Sequence, residues 1–394
     1  MNSVFNTRNV PLAYLRTFLV VLVVLHHAVL AYVTFAPPPS ASLDGSLLWT
    51  AFPVVDAQRW SGADLIVTFN DSFFMSLLFL ISGVFAWPAL TRKGAAGYLR
   101  DRARRLGIPF LIAAGVLAPL AYFATWMAAP AQTVSFPSQW LALGVWPAGP
   151  AWFLWVLLAF ALLAAIWFRV FPGWGAALAR IASALGQRPV LFFLSLLAVS
   201  ALVYLPMAAA FDPLQWVKSG PFFVQISRLP HYLVYFLVGV GLGAFGHDRG
   251  LLQADGRLAR RWWLWVGLAL LAFGVSLATL GAIVGSFSLG GPSAGLQLFG
   301  NFTFVLSCAA SSMAFTALFV RFARRANPIV DSLSANAYGI YLLHYVCVTW
   351  LQFLLLPASW PGYTKAALVF IAALLVSWSL SGVLRRVPVI RQLV

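Results

Sequence analysis

Ten apolar stretches of about 20 residues each recur along this chain, near residues 10–36, 70–90, 106–128, 151–171, 190–210, 229–246, 262–285, 297–320, 334–356 and 364–384. That is the length at which an α-helix crosses the hydrocarbon core of a bilayer. Inside that core no water is present to pair backbone N–H and C=O groups, so each stretch must satisfy them within its own helix. Composition closes the soluble alternative. With 62% apolar and 9% charged residues in 394, a water-soluble fold would have more apolar surface than its interior could hide, since charged residues make up about a quarter of ordinary soluble chains. The expected fold is an all-α membrane protein of about ten transmembrane helices, one polytopic domain over residues 1–394 with no appended soluble domain.

The scarce charges orient the bundle. All nine acids are Asp, and 22 of the 25 basic residues are Arg. Arg8, then Arg92, Lys93, Arg100, Arg102, Arg104 and Arg105, then Arg169, Arg180 and Arg188, then Arg249, Arg257, Arg260 and Arg261, then Arg321, Arg324 and Arg325, then Arg385, Arg386 and Arg391 fall in loops on one side. The opposite side holds Arg59, Lys218 and Lys365, with Arg228 at a helix edge. Basic loops stay cytoplasmic, so both termini are expected in the cytoplasm of a multi-pass protein of the inner (plasma) membrane. The net charge of +16 then reports topology, and membrane lipid, not nucleic acid, is the expected surrounding partner. Nothing in the pattern sets an oligomeric state.

The first stretch has a signal-peptide outline, with Arg8 before an apolar run and small residues and prolines over 36–42. Arg16, His26 and His27 interrupt that run and nine more spans follow, so the helix is expected to be retained. The loop 37–70, with Asp44, Asp56, Asp64, Trp49 and Trp60, reads either as a cap over a site or as an interfacial loop with aromatic anchors. Cys308 and Cys347 lie in apolar runs without metal-ligand spacing, so they are expected to be small core residues and no metal is expected.

An ionisable group inside a membrane span is costly and therefore a functional candidate. Arg16 and His27 are eleven residues apart, which at about 100° per residue returns them to within about 20° of one helix face, separated by about 16 Å along the axis. Arginine remains charged and grips phosphate or carboxylate through a planar fork, while histidine suits general-base work near neutral pH. The stripe fits a long anionic molecule entering from the cytoplasm and presenting its reactive end to His27. The alternatives are that Arg16 snorkels to headgroups and that His27 packs. His26, about 100° away, reads as a helix–helix hydrogen bonder.

Arg102 and Arg105, three apart, share a face if their stretch is helical, and with Arg104 they form a candidate phosphate clamp on the side of Arg16. Positive-inside bias is the competing account of the same residues. Pro109 marks a start or kink of the third span. Trp152 opens the fourth span in a ring-rich run that also reads as an aromatic belt. His344 lies about 15 Å into its span, at a height comparable with His27, and packing is its competing role.

Taken together, these segments resemble the acyltransferase 3 family of membrane-bound acyltransferases. The resemblance rests on Leu15-Arg16 followed by His27; Phe79-Leu80-Ile81-Ser82-Gly83-Val84-Phe85; Arg102 with Arg105 before Pro109; Trp152-Phe153-Leu154; Arg228 with the run His231 to Val240; and Tyr341-Leu342-Leu343-His344. The wording is closest to the branch that includes glucan biosynthesis protein C. The resemblance implies transfer of an acyl group from cytoplasmic acyl-CoA, such as acetyl-CoA or succinyl-CoA, to a hydroxyl of a carbohydrate or related acceptor. It implies catalytic roles for His27 and Arg16 and donor binding by Arg102 and Arg105; Arg104 is a further candidate donor contact, and Asp71, Ser82, Trp152, His231, Tyr341 and His344 are the candidate substrate contacts. Ala13-Tyr14 stands where the family often has Asp-Gly. The rival class is a secondary transporter or sugar-lipid flippase, but midplane carboxylates and paired broken helices, its usual marks, are not seen in the sequence.

Overall fold

The computed structural model describes residues 9–38, 51–129 and 134–393. Arg8, Asp44 and Trp49 lie outside them. The chain forms helices α1 (Val10–Leu30), α2 (Ser61–Arg102), α3 (Ile108–Ile112), α4 (Ala118–Ala128), α5 (Trp152–Val170), α6 (Trp174–Gly186), α7 (Pro189–Phe211), α8 (Leu229–Phe245), α9 (Trp262–Ser286), α10 (Ala294–Phe322), α11 (Pro328–Leu355) and α12 (Gly362–Leu384). Among the described residues nine helical runs are long and apolar enough to cross a membrane. One of them, Ser61–Ala128, holds two of the ten apolar stretches. Gly94, at φ 67° and ψ 169°, breaks that run, a backbone conformation that costs glycine little and other residues much. The protein is an all-α membrane protein with, among the described residues, one small exception, an antiparallel hairpin of β1 (Trp216–Ser219) and β2 (Phe222–Gln225) after α7.

The start of the second span and one short helix differ from the sequence reading. The second span was expected to open at residue 70, but α2 begins at Ser61. Asp64 sits in its first turn and accepts hydrogen bonds from the Thr34 backbone N–H (2.7 Å) and hydroxyl. An acid there complements the helix dipole, so a charge that reads as loop belongs to the helix. Asp71 consequently lies inside α2 and does not open it. The second difference is α6, which is too short to span and packs against α8.

The central helix is α1. Pro11 lies in its first turn, Asn9 accepts a cap hydrogen bond from the Leu12 N–H, and the helix packs on α2, α10, α11 and α12. The tightest pairing joins α2 to α8. A Cβ on Gly83 would fall 2.1 Å from the Phe236 carbonyl oxygen, and one on Gly239 or Gly243 would fall 2.0 Å from the carbonyls of Leu80 or Val84. Small residues four apart let membrane helices meet backbone to backbone. Gly83 in the Ser-Gly-Val-Phe motif therefore sets a helix distance, which leaves the chemistry of that motif to Ser82.

Candidate active site

Pro109 shapes one wall of the site. In a regular helix the N–H of residue 109 would donate to the Arg105 carbonyl, but proline has none. The backbone widens to a π-helical turn over Ala103–Gly107, and the orphaned Arg105 carbonyl accepts the Tyr338 hydroxyl of α11. π-Turns recur at functional sites because they re-aim side chains. Arg105 within the turn and Arg102 just before it line a cavity of about 420 Å³, within the range of small-molecule sites, and Arg104 does not line it.

The same cavity is lined by Arg16 and Val20 of α1, Ser82 of α2, Phe153 of α5, and Ser334, Tyr338 and Tyr341 of α11. Arg16 thus meets Arg102 and Arg105 across one volume. Arg105 pairs with Asp101 at 3.4 Å, and Asp101 is shared with Lys93 at 3.1 Å. The Arg102 guanidinium lies 5.1 Å from the Tyr98 ring centroid, a cation–π distance. Its Nε is buried without a hydrogen-bond partner among the described residues. A buried donor left unpaired is costly, and an anionic ligand would relieve it. Ser82 returns its hydroxyl to the Leu78 carbonyl at 2.8 Å.

The histidines lie beyond this cavity. On α1 the lining stops at Val20, about 10 Å short of His27. On α11 it stops at Tyr341, one turn before His344, and the Tyr341 hydroxyl donates to the Pro150 carbonyl at that wall. His27 and His344 meet, with His27 Nδ1 at 3.3 Å from His344 Nε2. Each Nδ1 also faces a backbone carbonyl, Val23 O at 2.8 Å for His27 and Tyr341 O at 2.6 Å for His344. A carbonyl only accepts, so both neutral rings carry their proton on Nδ1. His344 Nε2 then accepts a share of the His27 Nδ1–H. His27 Nε2 is left with a lone pair, the arrangement a general base requires. Tyr345 stands edge-on to His27 at 5.3 Å, and Gln352 donates to the carbonyls of His27 (2.9 Å) and Ala28 (3.1 Å). His26, expected to bond between helices, instead packs on Phe74 with Nδ1 unpartnered among the described residues.

Three expected contacts fall elsewhere. Asp71 receives both terminal nitrogens of Arg228 at 2.8 and 2.7 Å, a bidentate pair whose Arg228 side chain is 5% exposed. His231 is fully buried, with Nε2 at 3.5 Å from Cys308 Sγ and rings of Tyr204, Tyr235 and Phe304 around it. Trp152 stacks on Tyr232 and stands edge-on to Trp216. None of the three lines the arginine cavity.

The sequence profile of the acyltransferase domain known as acyltransferase 3 matches residues 10–382, nearly the whole chain. The chain belongs to the acyltransferase 3 family. Comparison with curated proteins and with solved structures gives no match. The cavity and the histidine pair are therefore features of a multi-pass membrane acyltransferase. Within this acyltransferase 3 chain, sequence reasoning gave no role to Gln352, Tyr345, Tyr338 or Ser334. Their spacing with Tyr341 and His344 forms a polar stripe along α11, a helical-period signal open to reading.

Proposed function

We propose that this acyltransferase moves an acyl group from cytoplasmic acyl-CoA, such as acetyl-CoA or succinyl-CoA, to a hydroxyl of a carbohydrate or related acceptor in the inner (plasma) membrane. The observation that carries the reading is the convergence of Arg16, Arg102 and Arg105 on one cavity whose inner wall, Tyr341, lies one helical turn from the His344–His27 pair. Arg102 and Arg105 take the phosphates of the donor, which suits the unpartnered Nε of Arg102. Arg16 holds the arm of the donor on its way inward. Because the Tyr341 wall closes the cavity short of His27, the donor must displace it to react.

His27 Nε2 takes the proton of the acceptor hydroxyl as that oxygen attacks the thioester carbon. The carbon–sulfur bond breaks, the departing thiolate takes that proton back from His27, and coenzyme A leaves as the thiol. General-base assistance of this kind contributes about 10²- to 10⁴-fold. His344 is a positioning residue, holding the His27 ring by accepting from Nδ1. The test is thiol release by the purified protein from a panel of acyl-CoAs, with and without candidate glycans. His27→Ala is expected to lose about 10²-fold or more in acceptor-dependent release while inserting normally, and His26→Ala much less. Equal, moderate losses in both variants would return His27 to a packing role.

A further inference from the structure

A second cavity, of about 550 Å³, lies between the first turns of α7 and α9, away from the arginine cavity described above. Arg188, the residue before α7, and Arg261, the residue before α9, line it together with Arg257 from the short turn Arg257–Arg260. None of the three forms an ion pair among the described residues. Arg257 donates to the Gln187 carbonyl at 3.3 Å, and the neighbouring Asp255 is engaged by Arg324 at 2.8 Å and Arg321 at 3.5 Å. Three guanidiniums gathered at one mouth repel one another, a cost that an anion removes. Positive-inside bias needs only that basic residues lie on one side; it does not bring residues 188 and 261 to one cavity.

The rest of the lining is apolar. Leu191 and Leu194 from α7 face Leu264 and Leu268 from α9, and the Phe193 and Trp265 rings, 5.7 Å apart, join the two helices behind them. Leu194 is 50% exposed and Leu264 44%. Within the protein α7 buries only 28% of its spanning window and α9 only 17%, so these walls continue into lipid-facing surface. Both helices begin at the cavity and neither start is capped by a side chain, which adds partial positive charge to that of the arginines. A free anion would use the arginines and leave the apolar walls idle. A phospholipid uses both, phosphate at the mouth and acyl chains along the groove.

We infer that this groove binds an anionic membrane phospholipid, its phosphate held by Arg188, Arg257 and Arg261 and its chains laid between α7 and α9. The site is independent of the donor cavity and of the acyl-transfer reading. The test uses the full-length protein in neutral detergent. Phosphatidylglycerol, phosphatidylcholine with the same chains, or inorganic phosphate is added, and bound lipid is read by native mass spectrometry alongside the melting temperature. Saturable retention of phosphatidylglycerol over phosphatidylcholine is expected, with a rise in melting temperature. Arg188→Gln with Arg261→Gln should weaken retention about tenfold or more. Arg169→Gln with Arg180→Gln, on the same side but outside the cavity, should leave it as in the wild type. Leu194→Trp keeps all three arginines and narrows the groove, so it should also weaken retention; it carries the test if the double variant fails to fold. Unchanged retention in the Arg188/Arg261 pair, or in Leu194→Trp, overturns the inference. So does an equal loss in the Arg169/Arg180 pair, or equal stabilisation by inorganic phosphate alone.

Discussion

The two sides of this membrane bundle use basic residues in opposite ways. On the side with few of them, the interior cations are matched to acids: Arg228 grips Asp71 bidentately, and Lys365, fully buried, meets Asp56 at 2.7 Å. On the arginine-rich side, Arg16, Arg102 and Arg105 border a cavity. Arg105 shares its acid, Asp101, with Lys93, and Arg102 forms no ion pair among the described residues. A buried cation held against an acid has most of its field cancelled where it sits and ties elements together. A partly paired charge at a cavity wall still has field to offer a ligand. Charge on the first side should therefore govern stability, and charge on the second the use of donor.

The largest effect is expected where the pairing is most complete. Lys365→Ala leaves the Asp56 carboxylate buried and uncompensated, at a cost of about 3–5 kcal/mol. Asp56 also accepts from the Gln58 N–H at 2.8 Å, and its own N–H donates to Ala31 O at 3.0 Å, so its loop is pinned to the end of α1. Thermal unfolding in detergent should show the loss, while the fraction that remains folded keeps its apparent Michaelis constant for acyl-CoA. Asp56→Leu with Lys365→Met should recover most of the stability, since a buried pair replaced by apolar residues is often neutral. A double variant no better than the single one would show that the pair does more than join the loop to α12.

Next in size is Arg16→Lys. An arginine that only snorkels needs charge and length, which lysine supplies. An arginine holding a phosphate or amide through its fork loses that geometry when a point charge replaces it. The variant should insert and melt like the wild type yet lose about tenfold or more in acyl transfer, as expected for a charge-assisted contact of about 1.5–3 kcal/mol. Full activity at both limiting and saturating acyl-CoA would falsify the placement of Arg16 on the donor path.

How much of this was legible depends on how far apart the partners lie in the chain. The spans and the spacing of Arg16 and His27 are local, set by helical period, and the sequence contains that period, whereas Arg102 and Arg105 line one cavity across a π-turn that the period does not encode. The pairing of His344 with His27 joins residues 317 apart, Asp56–Lys365 joins residues 309 apart and Asp71–Arg228 joins residues 157 apart. Each depends on which helices become neighbours, which no single-helix pattern encodes. Comparable depth was readable for His27 and His344, but contact was not. Asp71 looked available for an acceptor because it read as opening the second span from outside, whereas it lies within α2 and the glycine-mediated approach of α2 and α8 brings it to Arg228. The hairpin and α6 were missed because neither is long or apolar enough to register as a span.

The smallest expected effect separates a ligand-binding arginine from a topology signal one residue away. Arg104 and Arg105 have the same charge, the same loop and the same side of the membrane, so positive-inside bias treats them alike. The π-turn before Pro109 sends Arg105 into the cavity and leaves Arg104 out of it. Arg105→Ala should raise the apparent Michaelis constant for acyl-CoA several-fold and weaken binding of free coenzyme A, with less effect on the acyl-pantetheine arm alone. Arg104→Ala should change both by no more than about 0.5 kcal/mol, the usual range for a surface substitution. Equal effects would mean that the donor senses only the summed charge of the loop, and the contrast between the two sides would then reduce to charge density without geometry.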